Sequence, residues 1–327
     1  MSRRVTIEEL AEWLKPLDDI ALLGHIYPDG DATGSTLALW HALRAMGKRA
    51  VVCLPDGTPQ LYEELPGAAE IVDPAGPLPF APKAALSVDV SELERLGDAG
   101  LALFESCPRR AALDHHPTNP GFGECYALDG TAAAAGELVV DLIDALGVQM
   151  DKAMADCLFV AISTDCGNYN YSNTTGNTLR AAARCVDAGA DVANLTEALY
   201  RTRTVGRTRL LGLVLADLEL SPDGQVAWAR LTEDMLCRAG ATAEDKEGIV
   251  NYLLEMTGVK VAVLALERGE ETKLSLRCKA PLNVAKNIAI PLGGGGHDCA
   301  AGVSLKLPLE KALQKGLELA GKMVKKD

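Results

Sequence analysis

Acidic and imidazole side chains gather in four short islands in the first half of the chain. They read GHIYPDGDATGS (24–35), SVDVSE (87–92), ALDHHPTN (112–119) and STDCGNY (163–169). Carboxylate oxygens suit hard cations such as magnesium and manganese, and imidazole shifts the balance toward manganese or another transition metal. Two such ions sharing a carboxylate clamp the attacking and leaving oxygens of an in-line phosphoryl displacement. The chemistry this implies is phosphoester hydrolysis.

In the first island His25 and Asp29 flank a Tyr-Pro turn and Asp31 follows two residues on, so a short loop turns three ligands toward one centre. Gly24, Gly30 and Gly34 allow close backbone approach. The next helix is expected to start near Thr33, with its N-terminal amides favouring an anion. Asp89 ends an apolar run and is either a rigidly held ligand or the cap of a helix over SELERL. Asp114, His115 and His116 follow another run. Adjacent histidines after a strand are expected on opposite sides, one toward metal and one toward substrate, with Asp114 orienting an imidazole. Asp165 closes the buried segment ADCLFVAIST and could also be a plain helix end.

The elements that must position these groups are legible from periodicity. IALLGH, RAVVCL and KAALSVDV read as strands, the last almost wholly apolar, as central parallel strands are. TLALWHALRAMG, AAAAGELVVDLIDALG (closed by Gly147) and DKAMADCLFVAIST read as helices, and MSRRVTIEELAEWL as an amphipathic helix capped by Thr6. Strand-helix alternation implies an α/β fold with a parallel doubly wound sheet, whose ligands gather outside the carboxyl ends of the strands. Successive helices from about 175 to 217 form a helical connector. A smaller mixed α/β domain follows, with strands near QVAWARL, VKVAVLALE and TKLSLRCK, a helix at NVAKNIA and a final amphipathic helix. The boundaries expected are 1–190, 191–217 and 218–327.

The 327 residues suit two domains, and 45 acidic against 32 basic side chains give a net charge of −13. A surface this acidic, with 4% aromatic residues, excludes a broad grip on long nucleic acid. Nine scattered cysteines, odd in number and never in a C-x-x-C pair, read as free thiols of a reducing cytoplasm. The N-terminus lacks the apolar region of a signal peptide, and no stretch approaches a membrane span.

GGGGHDCAAG near the C-terminus is a further signal. The amides of Gly293, Gly294, Gly295 and Gly296 could form an anion nest. His297 could hydrogen-bond a phosphate, and Arg277 offers it a bidentate fork. A dinucleotide-binding loop is ruled out because no strand runs into these glycines.

The ordered series GHIYPDGDATGS, SVDV, LDHH, STD and GGGGHDCAAG resembles the DHH phosphoesterase superfamily with its DHH-associated C-terminal domain. TAAAAGELVVDLIDALG, STDCGNYNYSNTTGNTL and GIVNYL are similar to the NrnA-type nano-RNases, which also have 3′-phosphoadenosine-5′-phosphate (pAp) phosphatase activity. The resemblance implies two divalent ions, manganese foremost, with magnesium and cobalt as the alternatives. His25, Asp29 and Asp89 would hold one; Asp31, Asp89, His115 and Asp165 would hold the other, so that Asp89 bridges. His116 would stand either just outside the ligand set or near the scissile phosphate, Asp114 would orient an imidazole, and a hydroxide bridging the ions would attack in line. Arg277, the glycine run and His297 would take the substrate's far phosphate or base. The implied partners are short RNA or DNA oligonucleotides or nucleotide bisphosphates, without long nucleic acid or membrane, and a homodimer is one possible assembly. A cyclic dinucleotide phosphodiesterase is the alternative, and a family II pyrophosphatase a weaker one because its C-terminal domain lacks the glycine-histidine run.

Overall fold

The segments that lead into the first three islands form adjacent strands of one sheet. A computed structural model of the protein describes residues 2–325 and divides the chain into two compact units, 1–201 and 202–327. The strands of the first unit are β1 (Arg3–Arg4), β2 (Ile20–Leu23), β3 (Ala50–Cys53), β4 (Ala84–Val88), β5 (Arg109–Asp114) and β6 (Cys125–Leu128). They lie in the order β1-β6-β5-β4-β2-β3, all parallel. The order reverses beside β2, since β3 lies on one side of it and β4 on the other. This is the topological switch where such sheets bind ligands.

The helices of this unit are α1 (Ile7–Leu14), α2 (Gly30–Ala45), α3 (Gly97–Ser106), α4 (Ala135–Leu146), α5 (Lys152–Asp165), α6 (Gly176–Asp187) and α7 (Val192–Thr196). Every residue of β2 and β4 is buried, because both faces are covered. Ile20, Leu22 and Leu86 join one core with residues of α1, α2, α4 and α5; Ala21, Leu23 and Ala85 join a second with Leu96 and Phe104. Thr6 caps α1 in a reciprocal box with Glu9, and Gly147 closes α4 in the left-handed conformation.

α2 starts at Gly30, earlier than the expected Thr33, because Asp29 is its N-cap and accepts from the amides of Asp31 and Ala32 at 3.0 Å. Asp31 therefore lies in the first helical turn, where the sequence suggests a loop. β1, β6 and α3 are absent from the sequence reading. β1 has two residues, and α3 (GDAGLALFES) opens on glycine without a side-chain cap.

In the second unit the helices are α8 (Val205–Ala216), α9 (Glu233–Ala239), α10 (Ile249–Leu254) and α11 (Leu309–Val324). The strands are β7 (Glu219–Leu220), β8 (Val226–Leu231), β9 (Val261–Arg268), β10 (Glu271–Cys278), β11 (Gly295–His297) and β12 (Ala300–Leu305). The sheet is mixed, in the order β11-β12-β10-β9-β8-β7, with β8 and β9 parallel and the other pairs antiparallel. Leu274 and Leu276 of β10 face the core that includes Ala312, Leu313 and Ala320 of α11. Ala262 and Leu264 of β9 pack into a core with α8, α9 and α10. The expected helix at NVAKNIA is a wider π-type turn over Ala285–Ala289 followed by a tighter 3-10 turn over Ile290–Leu292, where Pro291 removes an amide that a continuing α-helix needs. Among the described residues no helix is long and apolar enough to cross a membrane. All nine cysteines are free thiols.

Candidate metal centre

Each island meets the same small volume at the carboxyl ends of β2, β4 and β5. His25 lies two residues beyond β2, with Nε2 3.6 Å from Asp29 Oδ2 and 3.6 Å from Asp89 Oδ2. Asp29 thus gives one oxygen to the α2 amides and the other to the cluster. Asp89, one residue past β4, is buried and holds a left-handed φ of 60°. This conformation is uncommon for a residue with a side chain. An amide bond from Asp89 N–H to Leu113 O at 3.0 Å helps fix the carboxylate between β4 and β5.

The other oxygen, Asp89 Oδ1, lies 3.4 Å from His115 Nε2 and 3.6 Å from His116 Nδ1. His115 Nε2 is also 3.2 Å from Asp165 Oδ2 and 3.8 Å from Asp31 Oδ2. Three groups have mutual spacing that suits a metal ion: His25, Asp29 and Asp89; Asp31, His115 and Asp165; and Asp89, His115 and His116. Asp89 belongs to two of them and faces the third through His115.

Outer contacts fix these side chains. His25 Nδ1 is 2.8 Å from Ile26 O and His115 Nδ1 3.2 Å from Ala132 O, so each ring can donate through Nδ1 and present the Nε2 lone pair to the cluster. The Asp31 carboxylate accepts from the amides of Ala135 (2.5 Å) and Gly136 (2.9 Å), the first residues of α4, and from Ser35 Oγ at 2.8 Å. Helix-start amides favour an anion there, and a side chain at Gly136 would crowd Ala161. The TAAAAG segment therefore cradles a carboxylate, a role its alanines do not signal. At the other end of the same contact, a Cβ on Gly34 would lie 2.3 Å from Cys157 O. Glycine there lets α5 pack directly on α2 and brings Asp165 to Asp31.

His115 and His116 are side by side rather than on opposite sides, with ring centroids 4.5 Å apart and both near Asp89 Oδ1. β5 ends at Asp114, and the alternation of a strand ends with it. They still differ in exposure, 11% for the His115 side chain against 39% for His116. Asp114, buried, accepts from His116 Nδ1 at 2.8 Å through one oxygen and from Asn119 Nδ2 at 2.7 Å through the other. Asn119 also donates to Val90 O and takes the Gly121 amide. The sequence reading missed Asn119, and the proline on either side of PTNP was its one hint of a fixed turn.

Charge in the cluster is unbalanced. Burial pushes the Asp31 carboxyl up, as do the negative charges of Asp89 and Asp165; burial also raises Asp165. For His25 and His115 burial works the other way, but the carboxylates outweigh it and raise them to about 10 and about 12. Asp114 raises His116 as well. Asp89 Oδ1 and His115 Nε2 are buried without a hydrogen bond. Orphaned buried donor atoms, several carboxylates and Nε2 lone pairs fit divalent cations.

The other positions named from the sequence lie in the second unit. Arg277 stands on β10 opposite Ala300 of β12, and Ala300 is opposite His297 of β11, so all three share one row of the sheet. The side chain of His297 lies outside the described residues. The glycine run corrects the expected nest. Gly293 N–H already donates to Ile290 O and Gly294 N–H to Ala289 O, and Gly295 and Gly296 are strand residues of a hairpin. Glycine is required by close approach, since a Cβ on Gly294 would lie 2.3 Å from Gly302 O.

Residues 19–162 match the DHH family, N-terminal domain, and residues 223–326 match the DHHA1 domain. The chain is 38% identical, over 94% of its own length and 91% of the relative's, to the bifunctional oligoribonuclease and PAP phosphatase NrnA of Thermus thermophilus. The chain belongs to the DHH family. An exopolyphosphatase-related protein from Bacteroides fragilis superposes on it with a TM-score of 0.88 at 26% identity, covering 97% of this chain and 95% of that one. The exonuclease RecJ bound to manganese shares the fold at a TM-score of 0.52 and 16% identity, covering 98% and 94%. In this DHH chain the tripeptide Asp114-His115-His116 supplies a support, an inner ring and an outer ring, in that order.

Proposed function

We propose that the chain is a metal-dependent phosphoesterase, with manganese as its ion, that hydrolyses pAp and oligonucleotides of a few residues. The observation that carries this reading is Asp89, whose two oxygens serve two histidine-carboxylate groups from a strained and fully buried position. The 38% identity to an oligoribonuclease and PAP phosphatase supports the choice of substrates. On this reading 1–190 is the phosphoesterase domain, 191–217 a connector and 218–327 the substrate-binding domain.

His25, Asp29 and Asp89 would hold one ion, and Asp31, Asp89, His115 and Asp165 the other. Divalent ions there neutralise phosphate charge and lower the pKa of a water nucleophile. The protein groups do the rest. Asp89 fixes the spacing of the two ligand sets, and Asp31 is held rigid by the α4 amides. The carbonyls of Ile26 and Ala132 hold protons on the outer nitrogens of His25 and His115. Asp114 holds His116 by Nδ1, which leaves its Nε2 at the exposed edge to meet the phosphate or the departing ribose oxygen. The acidic surface restricts substrates to short ones. Incubating pAp, pApA, cyclic di-AMP and a 24-mer with protein and manganese tests the reading. Mononucleotide is expected from the first two at high rate and from the 24-mer barely at all. Preference for the 24-mer contradicts it.

A further inference from the structure

Arg95 lies in a short 3-10 turn, Leu93–Leu96, just past β4. Its backbone carbonyl accepts from Ile26 N–H at 2.7 Å, which ties this turn to the loop carrying His25 and Asp29. Its half-buried side chain lies beside the metal centre, with Nη2 3.1 Å from His25 Nδ1, the ring nitrogen turned away from Asp29 and Asp89. Elsewhere in this unit Arg3, Arg49, Arg109 and Arg184 each hold a carboxylate, while Arg4, Arg44, Arg110 and Arg180 rest on a carbonyl, an indole ring or an amide instead. Among the described residues Arg95 has no ion pair, although the chain carries thirteen more acidic than basic side chains.

The contact with His25 is a weak use of a guanidinium. His25 Nδ1 also lies 2.8 Å from Ile26 O, and one ring nitrogen cannot donate to that carbonyl and accept from Arg95 together. A ring that ligates through Nε2 keeps its proton on Nδ1, and Ile26 O takes it. The N–H groups of Arg95 then lack an acceptor at the ring. A guanidinium with spare donors beside a phosphate-handling centre has one well-matched ligand, a phosphoryl oxygen pair in the plane of its fork.

We propose that Arg95 is a substrate-binding residue that grips a non-bridging oxygen of the scissile phosphate, or of its product, at the His25 edge of the centre. This rests on the phosphoesterase reading given above. The experiment compares wild type, Arg95→Ala and Arg95→Lys in three measurements. They are manganese binding by calorimetry, inorganic phosphate binding to the manganese-loaded protein, and kcat and KM for pAp. Arg95→Ala is expected to leave manganese stoichiometry intact and its affinity well short of the roughly 10–100-fold loss typical of a ligand support, to weaken phosphate binding about tenfold or more and to raise KM for pAp similarly. Arg95→Lys should recover part of the phosphate affinity, because it keeps the charge and loses the fork. Unchanged phosphate affinity in Arg95→Ala overturns the proposal, as does a wild type that binds no phosphate. Loss of manganese in both variants also overturns it, making Arg95 a support for His25. Failure of the wild type to hydrolyse pAp and pApA refutes the phosphoesterase reading separately, since the phosphate-binding comparison does not depend on turnover.

Discussion

Asp89 Oδ1 and His115 Nε2 face one another at 3.4 Å, both buried and neither hydrogen-bonded. A buried polar atom left unpaired costs about 1–3 kcal/mol, so this pair asks for a third partner. In the metal-free protein a proton on Nε2 is that partner, and a divalent cation that accepts a lone pair from each atom takes its place.

Asp89→Asn keeps the shape of the side chain and removes its charge. We expect it to weaken binding of both ions and to lower kcat by more than the 10–100-fold typical of an outer support. Asp165→Asn, whose side chain belongs only to the group with Asp31 and His115, should disturb one ion. Metal content per chain checks this. Two full equivalents in Asp89→Asn mean that Asp89 is not shared.

Metal binding should release protons. His25 and His115, raised to about 10 and about 12, hold a proton at neutral pH in the metal-free protein, and ligation through Nε2 must displace it. The sign follows. Manganese affinity rises as pH rises from 6 to 9. In the metal-free protein the stabilising charge of these rings is full below ~6.5 and is lost only as pH climbs through their raised values. Calorimetry in buffers of different ionisation enthalpy counts the protons, and a count of zero contradicts the assignment.

Much of this centre was legible in the sequence, because its ligands follow apolar strands and an apolar strand announces its own end. His25, Asp89 and Asp114 are such cases. What stayed hidden depends on residues far apart in the chain. Nothing in TAAAAG says that its amides receive Asp31, and nothing in PTNP says that Asn119 shares Asp114 with His116. The start of α2 was misplaced because Asp29 reads equally as turn and cap. The glycine run looked like an anion nest because its hydrogen-bond partners, Ala289 and Ile290, belong to a turn that reads as ordinary helix.

Asn119→Ala should leave metal stoichiometry intact and loosen the Asp114-His116 pair. We expect kcat to fall about 10–100-fold, as for other supports one step removed from the reacting groups, with KM little changed. A loss confined to KM would place Asn119 in substrate binding instead.

Gly34→Ala puts a methyl group 2.3 Å from Cys157 O, a backbone atom that cannot turn aside. Forced separation of α2 and α5 should cost about 1–3 kcal/mol and draw Asp165 from Asp31. Thermal melts of the metal-free protein measure the first effect and manganese titration the second. Unchanged Tm shows that the helices part without cost.

Arg277→Ala should weaken binding of pApA by about 1.5–3 kcal/mol, the worth of a hydrogen bond to a charged group, while kcat/KM for bis-p-nitrophenyl phosphate changes far less. Equal losses on both would make Arg277 a support of the sheet.

The most direct test of the central claim is hydrolysis of pAp by protein stripped in EDTA and then titrated with manganese. A two-ion centre on Asp89 predicts no turnover after stripping and full recovery as the second equivalent binds. Undiminished turnover in excess EDTA after long incubation would contradict it.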